Sequence, residues 1–292
     1  MTIAHFTGPI MVLGADGADT NPSPGPSLFR HGVGLLDPRA NNAMGGGEGA
    51  AHYGWYGTTR IPVINAIPVA MAANNIAALQ APAAGVPINL SPGAGTLLAQ
   101  VVNAATGTLA NVIAIESAFP AITLGADPTL SMYDPSKAIA RNVRITSAGA
   151  DTGGTFTVRG FDLYGFPMTE TITGAAIGVA VGKKAFKFVQ SITPSAGLSG
   201  ANIQVGTGDT FGFPLRVDNW GDAEIYAAAS MITVTTGFLA AVTTNPSTPL
   251  LGDVRGTYAV QTPSDGIRRL QVFITPDPNR LTNAGMFGVQ QV

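Results

Sequence analysis

An all-β fold, a β-sandwich of jelly-roll-like kind with an extended, irregular N-terminal arm, is what this sequence predicts. Three observations carry that expectation. Short runs after residue 137 alternate apolar and polar side chains, the period of a half-buried strand. Clusters of Gly, Pro, Asp and Asn separate the runs at short intervals, which is the punctuation of a sandwich or barrel. No long amphipathic helical pattern alternates with them, which argues against an α/β sheet.

Residues 1–60 form the expected arm. Segments such as "GADGADTNPSPGPSLFRHG" and "NNAMGGGEGAAHYGWYG" are dense in Gly, Pro, Asn and Ala and bury too little apolar area to fold alone. They nevertheless carry Phe6, Phe29, Tyr53, Trp55 and Tyr56, side chains that a plain linker does without. These five are the candidate interface residues. They anchor the arm on a neighbouring subunit or on its own domain, and the sequence leaves both open.

Residues 61–136 form a charge-poor, Ala-rich segment of short strands or helix. From 61 to 115 it contains no Asp, Glu, Lys, Arg or His. Solubility normally requires interspersed charge, so such a stretch is core or is covered by another subunit. Some helix is expected around 70–79, ended by Pro82 and Pro87.

Residues 137–292 form the expected sandwich domain. "NVRITS" puts Val143 and Ile145 on one face, and "TFTVRG" does the same with Phe156 and Val158. "AFKFVQSI" aligns Phe186, Phe188 and Ile192, and "TFGFPLRV" aligns Phe211, Phe213, Leu215 and Val217. "RRLQVFI" aligns Leu270, Val272 and Ile274. The stretch "TFTVRGFDLYGFPMTETIT" reads as strand, turn, strand. Asp162 and Gly165 supply the loop chemistry, and Pro167 sits at a strand start or edge because it cannot donate to a ladder. Thr169, Thr171 and Thr173 then share one face and Met168, Glu170 and Ile172 the other. Glu170 is out of place there; Arg159, a lysine or an outward bulge are the possible resolutions.

Composition excludes several classes. The 292 residues contain no cysteine, which rules out a disulfide framework, a thiolate metal site and a cysteine nucleophile, and suits a chain folded in a cytosol. Net charge is −2 with 15 Lys and Arg, and the one local cluster, Lys183-Lys184-Ala-Phe-Lys187, is too small to replace counterions along a phosphate backbone. Nucleic acid is therefore not an expected partner. Mean hydropathy is +0.27, so a membrane span must be tested. The candidate, residues 225–242, is rich in Ala and Thr, contains Gly237 and alternates in its "SMITVTTG" part, so a buried strand with a short helical start is expected instead. The N-terminus lacks the basic region of a signal peptide.

Chemistry-bearing motifs fail on spacing. His5, His31 and His52 have no partner at helical metal-ligand spacing. "AIGVAVGKKAF" has Ile177 where a phosphate-binding loop needs glycine and Lys184 where it needs Ser or Thr. "GTGDTFG", residues 206–212, precedes a strand and reads as a hairpin loop. No Gly-x-Ser-x-Gly elbow occurs. Asp151, Asp162, Asp209 and Asp218 lie in turn-like contexts, where a hydrogen bond to the backbone is their commonest role. No enzyme activity and no cofactor are expected.

From Arg141 to Trp220 the pieces "ARNVRITSAG", "TFTVRGFDLYGFPMTETITG", "GKKAFKFVQSIT" and "VGTGDTFGFPLRV" resemble, in order and spacing, a group of tailed-bacteriophage virion proteins encoded near the capsid genes. The later "GDVRGTYAVQTPSDGIRRLQVFI" is similar to that group's C-terminal section. The resemblance implies a non-enzymatic structural protein, first of all a capsid decoration or cement protein. Such a protein is made in the host cytoplasm, sits on the capsid exterior and binds the major capsid protein lattice as a homo-oligomer, a trimer by class. A neck or tail component is the structural rival. A carbohydrate-binding or carbohydrate-degrading sandwich for host recognition is the rival from another class, and it needs exposed aromatics and paired carboxylates in one groove. The two tryptophans, Trp55 and Trp220, lie far apart, and Trp220 is expected to pack.

The arm hypothesis has a direct test. A chain lacking residues 1–56 is expected to remain a folded, soluble β-protein that binds assembled shells poorly. Shell binding by the truncated chain at full strength would show that the arm does not anchor it.

Overall fold

The computed structural model describes residues 61–90, 98–102, 108–116, 139–274 and 288–292. In chain order its strands are β1 (Ile61–Ala66), β2 (Ala77–Gln80), β3 (Leu98–Val102), β4 (Leu109–Ala114), β5 (Arg141–Ser147), β6 (Thr155–Phe161) and β7 (Pro167–Thr173). They continue as β8 (Gly178–Val181), β9 (Phe188–Pro194), β10 (Ile203–Gly212), β11 (Ala223–Ala227), β12 (Ser230–Met231), β13 (Phe238–Leu239), β14 (Thr257–Ala259) and β15 (Leu270–Ile274). The described residues contain no α-helix, only a 3-10 turn at Trp220–Asp222. None of their segments is a helix long and apolar enough to cross a membrane. The fold is all-β.

Three sheets result. One runs β13-β14-β10-β5-β8, with β2 also paired to β10; a second runs β3-β4-β9-β6-β7; a third runs β1-β15-β11-β12. The first two stack as a sandwich. Val143, Ile145, Ile203 and Val205 of the first meet Phe156, Val158, Met168, Ile172, Val189 and Ile192 of the second in one buried cluster. Each such side chain contributes roughly 1.5–3 kcal/mol relative to exposure. A one-residue slip would turn the whole set to solvent, so this packing fixes the register.

The strand–turn–strand reading of 155–173 holds in detail. β6 and β7 pair from Thr155↔Thr173 to Phe161↔Pro167. Asp162 Oδ1 accepts from the backbone N–H groups of Tyr164 and Phe166, and Gly165 takes the positive φ of 81° that the turn requires. Pro167 opens β7, the edge strand of its sheet. β15 also alternates as expected, burying Leu270, Val272 and Ile274.

Other expectations need correction. The helix expected at 70–79 is absent: β2 occupies 77–80, because Asn75 exchanges side-chain bonds with Thr207 on β10 and Ile76 N–H donates to Val205 O. Tertiary hydrogen bonds override the Ala-rich propensity. The "GTGDTFG" stretch is not a hairpin loop but part of the ten-residue central strand β10. Its glycines serve close approach: a Cβ on Gly206 would overlap the Ala72 carbonyl, and one on Gly208 the Asn142 amide. The strand read through 210–217 stops at Gly212, and Phe213, buried, continues into a turn with Pro214.

Phe186, Phe188 and Ile192 do not share one face. Phe186 and Ile192 enter the sandwich core, whereas Phe188 joins Ala110, Val112, Ala114 and Phe161 in a separate cluster. A bulge separates Phe188 from Ile192: Arg159 pairs with Ser191 but Gly160 with Val189, so Gln190 is extra and parity shifts, while Phe186 lies outside β9, across a bend at Lys187. Residues 225–242 are not one buried strand. They form β11, β12 and β13, largely exposed beyond Tyr226. Ala228 and Ala229, at φ 50° and 64°, make the two-residue reversal between β11 and β12.

The bulge predicts a sharp contrast between two glycines. At Gly160 a Cβ would overlap the Phe188 carbonyl oxygen on the paired strand, and a backbone atom cannot step aside cheaply. Gly160→Ala is expected to cost about 2–3 kcal/mol. Gly221→Ala, where a Cβ meets nothing within 4 Å, is expected to stay within about 0.5 kcal/mol of the parent. Urea denaturation of both variants measures the difference, and equal stability would show that the bulge backbone yields freely.

Candidate functional site

The five candidate interface residues Phe6, Phe29, Tyr53, Trp55 and Tyr56, and the three histidines, lie outside the described residues. Within them, eight charged residues are buried, most of them in clusters. Trp220 packs as expected, its ring 5.3 Å from Tyr258 and 5.7 Å from Phe238.

Arg141 opens β5 and is wholly buried. Its Nε donates to Gly208 O at 2.7 Å, one terminal nitrogen to Val69 O at 2.8 Å and Glu116 Oε1 at 2.6 Å, and the other to Asp209 Oδ1 at 2.6 Å. The guanidinium also lies over the Phe211 ring, 5.1 Å from its centroid. The local sequence explains the site. Between Thr207↔Val143 and Phe211↔Arg141 the β5–β10 ladder breaks, which frees Gly208 and Asp209 to turn their polar groups towards Arg141. Asn142 fills the same break, donating to Gly182 O and accepting from Thr210 N–H.

A second cluster surrounds Arg255. Its guanidinium pairs with Asp162 Oδ2 at 3.0 Å, stands 3.9 Å from Asp253 Oδ1 and lies 5.4 Å from the Tyr164 ring centroid. Asp253 also accepts from the backbone N–H groups of Arg255 and Ala185, and burial pushes its carboxyl pKa up. Burial, with the nearby Asp162 charge adding to it, holds the Tyr164 phenol up at about 12; its hydroxyl donates to Pro214 O at 2.6 Å.

Glu170 finds neither Arg159 nor an outward bulge. It points inward from β7 and is 2% exposed. Oε1 accepts from the backbone N–H groups of Lys183 and Lys184, so it caps the turn between β8 and β9, and Oε2 has no partner. Gly182 is required beneath it, since a Cβ there would strike the carboxylate. Burial raises the Glu170 pKa to about 7 and lowers that of Lys184, also buried, to about 8. Lys184 Nζ donates to Gln291 O at 3.4 Å, and the buried Lys187 donates to Ile139 O at 3.2 Å. The lysine cluster of the sequence is thus mostly interior.

The turn carboxylates do more than cap their own loops. Asp151 accepts from the hydroxyls of Ser147 and Ser199 and from Ser199 N–H; burial raises its pKa, but these bonds outweigh it and hold the carboxyl below its ordinary range. Asp218 pairs with Arg216 at 2.9 Å. No group of three or more potential metal ligands exists among the described residues. A cleft of about 290 Å³ lies against Pro68, Phe211, Val260, Pro263 and Leu270, with Arg268 and Arg269 at its rim. Those two arginines are already engaged by Asp265 and Asn65. Sequence reasoning missed both arginine clusters, because each depends on a carboxylate far away in the chain, Glu116 25 positions from Arg141 and Asp162 93 from Arg255.

Chemically, these clusters tie loops to sheets with charge-assisted bonds inside the protein. Large apolar side chains stand outside instead: Leu109, Ile177, Val181, Leu250 and Ile267 are each more than 60% exposed.

Glu170 makes stability depend on pH in a defined direction. Its folded pKa of about 7 lies above the ordinary 4.5, so the folded chain holds this proton more tightly and loses stability as pH rises from 4.5 through 7. Lys184 acts in another window: its folded pKa of about 8 lies below 10.5, so stability is regained as pH rises from 8 to 10.5. Glu170→Gln is expected to match the parent near pH 5 and exceed it near pH 8 by on the order of 3 kcal/mol. Thermal melts at the two pH values test this, and a stability difference independent of pH would mean that Glu170 does not titrate there.

No protein-family model matches this chain, no curated protein matches its sequence, and no solved structure matches its fold.

Proposed function

We propose that this chain is a non-enzymatic structural protein of a tailed-bacteriophage virion, and within that class a capsid decoration protein that binds and stabilises the major capsid protein shell. The observation that carries the reading is the inversion of polarity just described. Eight of the twenty described charged residues are buried inside the protein, while sixteen large apolar side chains stand exposed among the described residues. A surface of that kind fits a chain whose working state is covered by neighbours. The run that resembles phage virion proteins, Arg141 to Trp220, spans β5 through β10, the framework of the sandwich. Repetition on a lattice lets weak contacts add through avidity, so each copy needs only a modest patch. A closed homo-oligomer, a trimer in this reading, covers sheet edges that would otherwise recruit further strands. It is made in the host cytoplasm and placed on the capsid exterior.

Copies of this chain per purified virion, counted by quantitative mass spectrometry against the shell protein, test the proposal. A number comparable to that of the shell protein is expected. A ring-sized handful would move the chain to the neck or tail, and absence from the virion would overturn the structural reading altogether.

A further inference from the structure

The outer face of the sheet containing β8, β5 and β10 carries a shallow trough. Val181, Arg144 and Gly206 stand opposite one another across the three strands, and Val179, Thr146 and Gln204 form the next row. Directly paired residues point to the same face. It is the face away from the sandwich core, because the alternate residues Val143, Ile145, Ile203 and Val205 fill that core. The chain at Ala72 and Ala73 crosses closely above Gly206 and makes one wall. The other side is open, with Val179 44%, Val181 61% and Ile177 73% exposed.

The floor holds two polar atoms that nothing satisfies. Arg144 Nε and Thr146 Oγ1 are both buried and have no hydrogen-bond partner. They lie two residues apart on one strand face, about 7 Å along it. An arginine on a sheet surface ordinarily keeps its head in water or pairs it. Here the Nε–H is shielded from water and lacks an acceptor, which is costly for a cationic group. The geometry also leaves the far edge of β8 at the end of its sheet, paired with no described strand.

We infer that this trough is a docking surface for an extended, mainly apolar segment of a different protein, which brings a carboxylate to Arg144. Charge complementarity selects the carboxylate, and the exposed valines select aliphatic residues two positions to either side of it, on the same face of the extended segment. A small inorganic anion would satisfy Arg144 but leave Val179 and Val181 in water. A second copy of this chain would have to divide one of its described carboxylates between this site and a bond that it already makes. All ten described carboxylates, at Glu116, Asp151, Asp162, Glu170, Asp209, Asp218, Asp222, Glu224, Asp253 and Asp265, already accept hydrogen bonds within the chain. Thr146 Oγ1 and Gln204 can meet the backbone of a segment laid across the face of the sheet. The inference stands whether or not the partner is a capsid subunit.

The test is nuclear magnetic resonance on the full chain labelled with nitrogen-15, following arginine Nε–H and backbone amide signals. Arg144→Lys, which keeps the charge and removes Nε–H, assigns the Arg144 signal. The probes are the peptide acetyl-Val-Thr-Glu-Thr-Val-amide, whose Glu and two valines share one face when extended, its Gln counterpart, and sodium acetate. The Glu peptide is expected to shift Arg144 Nε–H and the β8 amides saturably, with the Gln peptide about tenfold weaker and acetate without effect on β8. Val181→Lys, at an exposed position, is expected to abolish the peptide shifts while leaving the rest of the spectrum unchanged. Equal binding of the Glu and Gln peptides, no saturable shift, or the same shifts with acetate alone would overturn the proposal. So would shifts on raising the protein concentration without peptide, since a second copy would then be the occupant.

Discussion

Arg141 is the point on which the sandwich turns. It takes acceptors from β10, from the segment after β1 and from Glu116, two residues beyond β4, and it stacks on Phe211. A buried ion pair is weak evidence for stability, because desolvation of the charges offsets most of their attraction. Its stronger effect is on register. The β5–β10 ladder breaks between Thr207 and Phe211, where a strand could slip, and a fully buried guanidinium with fixed acceptors on both sides allows only one alignment. Removing one partner would leave a charge stranded in the interior, which typically costs about 3–5 kcal/mol. The same alignment sets which β5 residues face the core and which face outward, so it also places Arg144 and Thr146 on the open face.

Internal use of charge links the composition to the surface. Only 11% of residues are charged, and many of those are spent inside. Arg141, Lys184, Lys187 and Arg255 are buried, as are Asp151, Asp162, Glu170 and Asp253. Most tie a turn or loop to a sheet: Glu170 at 183–184, Asp151 at 199, Asp253 at 185, Arg255 at 162. Short strands joined by Gly-rich turns gain little from turn propensity alone, and charge-assisted bonds hold those turns in place. The consequence is an exterior short of charge and rich in Val, Ile and Leu.

Local features were legible in the sequence, and features made by distant contacts were not. The alternation in β5, β6, β7 and β15 showed directly, as did the Asp162–Gly165 turn and the place of Pro167. The bulge at Gln190 was hidden because one extra residue leaves composition unchanged while reversing parity. The Ala228–Ala229 reversal was hidden because alanine gives no sign of a positive φ, where glycine or asparagine would. "GTGDTFG" carried the composition of a turn, yet its glycines answer to Ala72 and Asn142 from elsewhere in the chain. Glu170 stood out as misplaced, but the acceptor role that explains it depends on two backbone N–H groups 13 and 14 residues away. The unpartnered Arg144 and Thr146 had no signature at all, since an alternating strand places an arginine outward by default.

Two edge strands of the sandwich, β7 and β8, differ in a way that argues that the open one is kept for a purpose. On β7, Thr169 N–H donates to Gln291 O and Thr171 N–H to Pro249 O, and Met168 pairs in parallel with Gln291. Two separate segments of the chain therefore cover that edge, as natural sheets do to prevent unwanted strand addition. β8 lacks such a cover among the described residues, and beyond its shortness it also lacks the usual protections. Its four residues Gly178–Val181 contain no charge, no proline and no bulge, and two of them are exposed valines. A chain able to cap one edge so fully would pay little to place a lysine at Val181. Leaving an apolar edge beside an arginine whose buried Nε–H has no acceptor is costly in the isolated chain and becomes favourable only once a partner covers both.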